Sequence, residues 1–99
     1  MKYTIKISDD AYWDLADAIR YYRSVSSDEL ANRFRDSFKS SLVRIVENPE
    51  NFRIRYKNIR SINLKIFPYQ IHFYILEKII FVVGVFHSKS NPKNWGKRL

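Results

Sequence analysis

The chain has no cysteine, and its 99 residues include only two glycines and three prolines. Without thiols there is neither a disulfide framework nor a thiolate metal site, a pattern that fits a reducing compartment. Two glycines leave little from which to build a phosphate-cradling loop. Neither G-x-S-x-G nor H-E-x-x-H occurs, so common hydrolase and metallopeptidase signatures are missing as well. No run approaches the roughly eighteen uninterrupted apolar residues of a membrane span, and the opening MKYTIKISDD lacks the apolar centre of a secretory signal. The expectation is a soluble, unprocessed cytoplasmic protein that needs no cofactor.

Acid is scarce in one half only. Residues 1–50 carry eight Lys/Arg against nine Asp/Glu, whereas residues 51–99 carry ten bases and the single acid Glu77. The excess of +8 therefore resides in the second half, which should attract a polyanion: nucleic acid, an acidic protein segment, or both.

What is present is apolar and aromatic: 45% hydrophobic residues and 16% Phe, Trp and Tyr. That composition folds, and a chain this short builds a single core. Lys2, Thr4 and Lys6 alternate with Tyr3, Ile5 and Ile7, the period of a strand with one buried face. Ser8 before Asp9 and Asp10 predicts a helix N-cap with acids in the first turn. Ala11, Leu15, Ala18, Ile19 and Tyr22 then form one helical stripe, with Asp14, Asp17 and Arg20 off it. Trp13 lies beside that stripe and is expected to be partly buried.

Ser26 and Glu29 match a capping box, and a second stripe, Leu30, Phe34, Phe38, Leu42 and Ile45, runs to Asn48-Pro49, where proline ends the helix. Two helices so closely joined predict an antiparallel hairpin.

From Arg53 the period changes to two. Ile62, Leu64 and Ile66 alternate with Ser61, Asn63 and Lys65, and Ile71, Phe73 and Ile75 with Gln70, His72 and Tyr74. Residues 79–86 are apolar on both faces, with Ile79, Phe81, Val83 and Val85 on one and Ile80, Val82 and Phe86 on the other, as in a central strand. The prediction is a single α+β domain of order β-α-α-β-β-β. Its helical hairpin spans about 9–47 and covers one face of an antiparallel sheet formed by 2–7 and about 60–87; a basic tail occupies 88–99.

The uncovered face should display Asn63, Lys65, Gln70, His72 and Tyr74, flanked by Lys6 and by the basic approach of Arg53, Arg55, Lys57 and Arg60. Such a face could grip phosphates and stack bases, or it could be a solvated surface whose charges prevent edge-to-edge aggregation. Composition does not separate the two. His72 and His87 have the ordinary pKa range for acid–base work, but without neighbouring acids they make a poor metal site. The plainer reading is a surface polar group for His72 and a structural hydrogen bond for His87. Trp95 is read first as an anchor for the tail, with a contact role as the alternative.

The segments YTIKIS, DDAYWDLADAIRYY, IVENPENF, RYKNIR, FPYQIHFYI and VVGVFHSKSNPKNW together resemble the RelE/ParE superfamily of toxins, also called plasmid stabilisation proteins, over Lys2 to Trp95. The resemblance implies a growth-inhibiting toxin held inactive by a cognate acidic antitoxin that wraps it as helix and strand. It also implies a possible homodimer or a toxin–antitoxin hetero-oligomer. RelE-like members cut messenger RNA on the ribosome, and ParE-like members inhibit DNA gyrase. The nuclease positions of RelE-like members are largely substituted: Ser61 and Asn63 stand where basic residues are used, Gln70 and Ser88 where arginines are used, and Trp95 where a tyrosine is used. Lys65, His72, His87 and Lys89 remain as candidate nuclease groups. The chain is accordingly closer to ParE-like toxins, a binding inhibitor rather than an enzyme. Arg53, Arg55, Lys57, Arg60, Lys65, Lys89, Lys93 and Trp95 are its candidate contacts to target or antitoxin. A ribosome-dependent endoribonuclease and a non-toxic basic binding domain are the alternatives.

Overall fold

The computed structural model describes residues 2–92 and Trp95. The chain forms β1 (Thr4–Ile7), α1 (Asp9–Val25), α2 (Asp28–Glu47), a 3-10 turn (Pro49–Asn51), β2 (Ile54–Tyr56), β3 (Ile59–Asn63), β4 (Tyr69–Leu76) and β5 (Ile79–His87). The strands lie in the order β1-β5-β4-β3-β2, with β1 parallel to β5 and every other pair antiparallel. Both helices pack on one face of this sheet, the α+β arrangement expected from the sequence.

The sheet has one strand more than the periodicity predicts. β2 is only three residues long, too short for alternation to show, and it pairs with β3 through a turn at Lys57, whose φ is 48°. The boundaries of β4 and β5 follow the alternation closely, whereas β3 begins at Ile59 and ends at Asn63, short of the Ile66 to which the alternation ran.

Helix entry follows the local chemistry. Ser8 Oγ accepts from the Ala11 N–H (3.0 Å), with Asp9 and Asp10 in the first turn of α1. At α2 the expected Ser26–Glu29 box is displaced by one residue: Ser27 is the N-cap, its Oγ accepting from the Leu30 N–H (3.1 Å), while Ser26 closes α1 by donating its N–H to Tyr22 O (3.0 Å). Tight turns between helices leave one serine for each task. Ser27→Ala should therefore lower stability by about 1 kcal/mol and Ser26→Ala by only a few tenths. Urea unfolding of the two variants checks the register, and equal losses would restore the sequence-based box.

Both stripes face the sheet. Ala11, Phe34 and Ile45 are fully buried, and Ala18 and Phe38 nearly so, against Ile62, Ile71, Phe73, Ile80 and Val82. Phe34 sits at the centre, with Tyr22, Phe67 and Tyr69 ring centroids 5.3, 5.1 and 5.0 Å away. Trp13, expected to be partly buried, instead stands 66% exposed on α1. At about 100° per residue Trp13 falls on the side of α1 opposite the Ala11, Leu15 and Ala18 stripe, so it points away from the sheet.

The central strand differs from its reading in one respect. The β4–β5 register slips between His72 and Phe73, so that Gly84 faces His72 while Val82 faces Phe73. A bulge of this kind inserts one residue and reverses the parity of all that follows. Val85 thereby joins Ile80 and Val82 in the core under the helices, while Phe86 turns to the uncovered face beside His72. The apolar run that looked two-faced from sequence supplies both faces, with the assignments of Val85 and Phe86 exchanged. Beyond Val82 the β1 side of β5 has lost its partner, and Asp14 Oδ2 accepts from the Val85 N–H there (2.9 Å).

Candidate functional site: the uncovered sheet face

Two cross-strand rows build this face. In the first, Lys6 of β1 pairs with Phe81 of β5, which pairs with Tyr74 of β4. The Phe81 and Tyr74 rings stack at 5.0 Å and 19°. Lys57, on the β2–β3 turn, closes the far end, and the row lines a shallow cleft of about 660 Å³ together with Ser8, Asn58 and Val83. The result is a flat aromatic platform with an ammonium group at either side, suited to an anionic surface or to planar groups joined by phosphates.

In the second row Gly84 faces His72, which faces Ser61. Alternation placed Gln70 and His72 in solvent, but the structure buries both: His72 is 0% and Gln70 8% exposed. The cover is Trp95, whose ring centroid lies 4.6 Å from that of His72, 5.6 Å from Tyr56 and 6.1 Å from Phe86. Trp95 itself is 8% exposed and serves as the anchor of the tail. The face is therefore sealed over its second row and open over its first.

Beneath Trp95 the polar groups satisfy one another. Gln70 Oε1 can only accept, so His72 Nε2–H donates to it (2.9 Å), and the remaining Nδ1 accepts from the Tyr56 hydroxyl (3.1 Å). The second contact, in which Nδ1 accepts, requires a neutral imidazole. Burial pushes the His72 pKa from 6.5 down to about 4, and the nearby Arg55 guanidinium adds to the effect. Arg55 also donates to Ser61 Oγ (3.2 Å) and lies 6.0 Å above the Trp95 ring. Trp95 Nε1 is buried with no hydrogen-bond partner among the described residues, a cost of about 1–3 kcal/mol that ring packing must offset.

The candidate nuclease groups do not converge. His72 is sealed and neutral. His87, at the end of β5, packs edge-on against Tyr69 (5.1 Å) and accepts from the Lys89 N–H (3.1 Å), the structural role expected of it. It shares a shallow recess with Asp14 and Asp17 of α1, not with His72. Lys65 does not lie on the uncovered face as alternation predicted: β3 ends at Asn63, and Lys65 turns to the helical side, where its carbonyl accepts from Ser37 Oγ (3.2 Å). Lys89 is exposed just past β5.

The candidate contacts divide as well. Arg53, Arg55 and Lys57 are exposed. Arg60 is half-buried and hooks the carbonyls of Glu50 (3.0 Å) and Phe52 (2.7 Å), so it holds the 3-10 turn to β3 instead of joining the basic face. Lys93 lies outside the described residues. Tyr56, which fixes the imidazole tautomer, had no sequence signal beyond its place among the basic residues.

No group of three or more His, Cys, Asp or Glu able to hold a metal occurs among the described residues, and no described helix is long and apolar enough to cross a membrane. No curated protein matches the chain. The family model of the ParE toxin of type II toxin-antitoxin systems, parDE, matches residues 5–92. Among solved structures, the chromosomal ParDE toxin-antitoxin system of P. aeruginosa is similar, with a TM-score of 0.77 at 18% identity over 87% of this chain and 96% of that one. A doubly substituted E. coli RelE toxin in the free state is similar with a TM-score of 0.62 at 19% identity, over 100% of this chain and 99% of that one.

Proposed function

The chain belongs to the ParE toxin family of type II toxin–antitoxin systems, and from that membership we propose that it stops growth by binding DNA gyrase in the cytoplasm and is neutralised by a cognate acidic antitoxin. The observation that carries this reading is the state of the one well-placed histidine. A general acid or base must reach its substrate and change protonation near the working pH. His72 does neither, being 0% exposed and held neutral by that burial and, to a smaller extent, by the Arg55 charge. Of the other candidates for the acid, base and cation of RNA cleavage, His87 and Lys89 lie together at the end of β5, whereas Lys65 lies apart from them beside α2. What the open face offers is recognition: Lys6 and Lys57 around the Phe81–Tyr74 platform, with Arg55 and Arg53 beyond. That distribution favours a surface that binds and is masked over one that cuts.

Charge also supports the antitoxin. A segment rich in Asp and Glu meets ten bases and one acid across residues 51–99, and such a segment, disordered alone, gains its order on binding.

Induction of the chain alone in a bacterial host should arrest growth, and co-expression of an adjacent reading frame encoding a small acidic protein should restore it. Growth that continues unaffected at verified expression would instead support an inactive basic binding domain.

A further inference from the structure

A second concavity, of about 360 Å³, lies on the helical side, between α2 and the connection from β3 to β4. Arg33, Ser37, Ser40 and Arg44 of α2 recur at helical spacing along one wall, and Lys65, Ile66 and Phe67 form the other. Arg33, Arg44 and Lys65 face one acid there, Asp36, and none of the three cations has an ion-pair partner among the described residues.

The second wall is held in an unusual shape. Leu64 donates its N–H to Tyr69 O (2.9 Å), and the Lys65 carbonyl is fixed by Ser37 Oγ (3.2 Å). Between buried Leu64 and Phe67, Ile66 is left 85% exposed at φ 78°. A β-branched residue at positive φ is a true outlier. An exposed apolar side chain held in a strained backbone at the lip of a cationic groove is hard to explain by folding alone, and strain of this kind collects at binding sites.

We propose that this groove seats an extended acidic protein segment, its carboxylates on Arg33, Lys65 and Arg44 and an apolar side chain against Ile66 and Phe67. The dimensions agree. Arg33 and Arg44 are ~16 Å apart along the helix axis, and the Lys65 backbone lies level with Ser37 between them. Alternate side chains of an extended peptide recur every ~7 Å, so three successive acids on one side span that row. A nucleic-acid strand fits less well, because no exposed aromatic ring lines the groove for a base to stack upon.

This inference rests on the antitoxin reading and deepens it, because it moves one anchoring point from the uncovered sheet face to the helical layer. Masking of the toxin then begins at a site distinct from the Lys6–Lys57 platform.

The test uses the full chain and a fluorescein-labelled synthetic peptide with glutamate at alternate positions and one central leucine, followed by anisotropy. Arg44→Glu and Lys65→Glu should each weaken binding about tenfold or more, as should replacing the peptide's leucine by serine. Ile66→Gly should weaken binding severalfold while leaving thermal stability equal or higher, since glycine adopts that φ freely; loss of binding there cannot be blamed on unfolding. No binding of the peptide, binding sensitive to Lys6→Glu but not to the groove variants, or an oligothymidylate that binds the groove as well as the peptide does would each overturn the proposal. In cells, toxin carrying Arg33→Glu and Arg44→Glu should still arrest growth but be rescued poorly by the acidic neighbour. Full rescue sinks the groove and leaves the toxin reading intact, whereas absence of arrest by the unaltered chain sinks the toxin reading and leaves the peptide measurement to stand alone.

Discussion

Trp95→Ala should destabilise the protein by about 3–5 kcal/mol, the range for removing a buried large aromatic, and should at the same time release His72. The two effects share a cause. The indole covers the imidazole at 4.6 Å and packs on Tyr56 and Phe86, so its loss admits water to the Gln70–His72–Tyr56 chain. Burial is the larger reason that His72 titrates at about 4, and the Arg55 charge the smaller. In the variant the His72 pKa should therefore rise toward 6.5 without fully reaching it. Urea unfolding and an NMR titration of the ring read the two consequences separately. A pKa left near 4 would mean that Trp95 is not what excludes water.

The same burial gives the unaltered protein a pH dependence of definite sign. His72 binds its proton more readily unfolded than folded, so the unfolded state carries more protons between pH 6.5 and 4. Stability from this group is complete above pH 6.5 and declines as pH falls through that window, by up to about 3 kcal/mol at pH 4. His72→Gln should flatten that part of the profile.

The second large effect concerns the platform. Lys6→Glu with Lys57→Glu should raise the concentration needed to inhibit gyrase by about a hundredfold, since reversing two interfacial charges both removes attraction and adds repulsion. Each lysine is exposed on the sheet face, so the fold should survive with unfolding midpoints within about 0.5 kcal/mol of the original. Inhibition that is unchanged would place the target contact elsewhere, with the exposed Tyr12 and Trp13 of α1 as the next surface to examine.

Local chemistry and periodicity carried much of the fold. Ser8, Asn48-Pro49 and the two helical stripes each determine their own neighbourhood, and alternation separated the two faces of β1, β4 and the first half of β5, though not the parallel pairing of β1 with β5. What they could not carry was anything decided between distant residues. The bulge opposite His72 exchanges Val85 and Phe86, and no residue within β5 announces it except Gly84. The burial of His72 depends on a tryptophan more than twenty positions later, folding back over a face that reads as polar. Lys65 leaves its expected side because β3 stops at Asn63 and Ser37 of α2 captures its carbonyl. Arg60 is similarly redirected, from a surface cation to a clasp on two carbonyls. The charge asymmetry pointed toward a polyanion-binding surface, whereas the groove beside α2 draws arginines from the near-neutral half and was invisible to that count.

The central claim is that the chain acts by binding gyrase and not by cutting RNA, and one preparation of antitoxin-free protein can decide it. The protein should inhibit supercoiling by purified gyrase in proportion to its concentration, while messenger RNA on translating ribosomes acquires no new 5′ ends. Untouched supercoiling together with fresh ribosome-dependent cleavage, reduced by His87→Ala or Lys65→Ala, would contradict it.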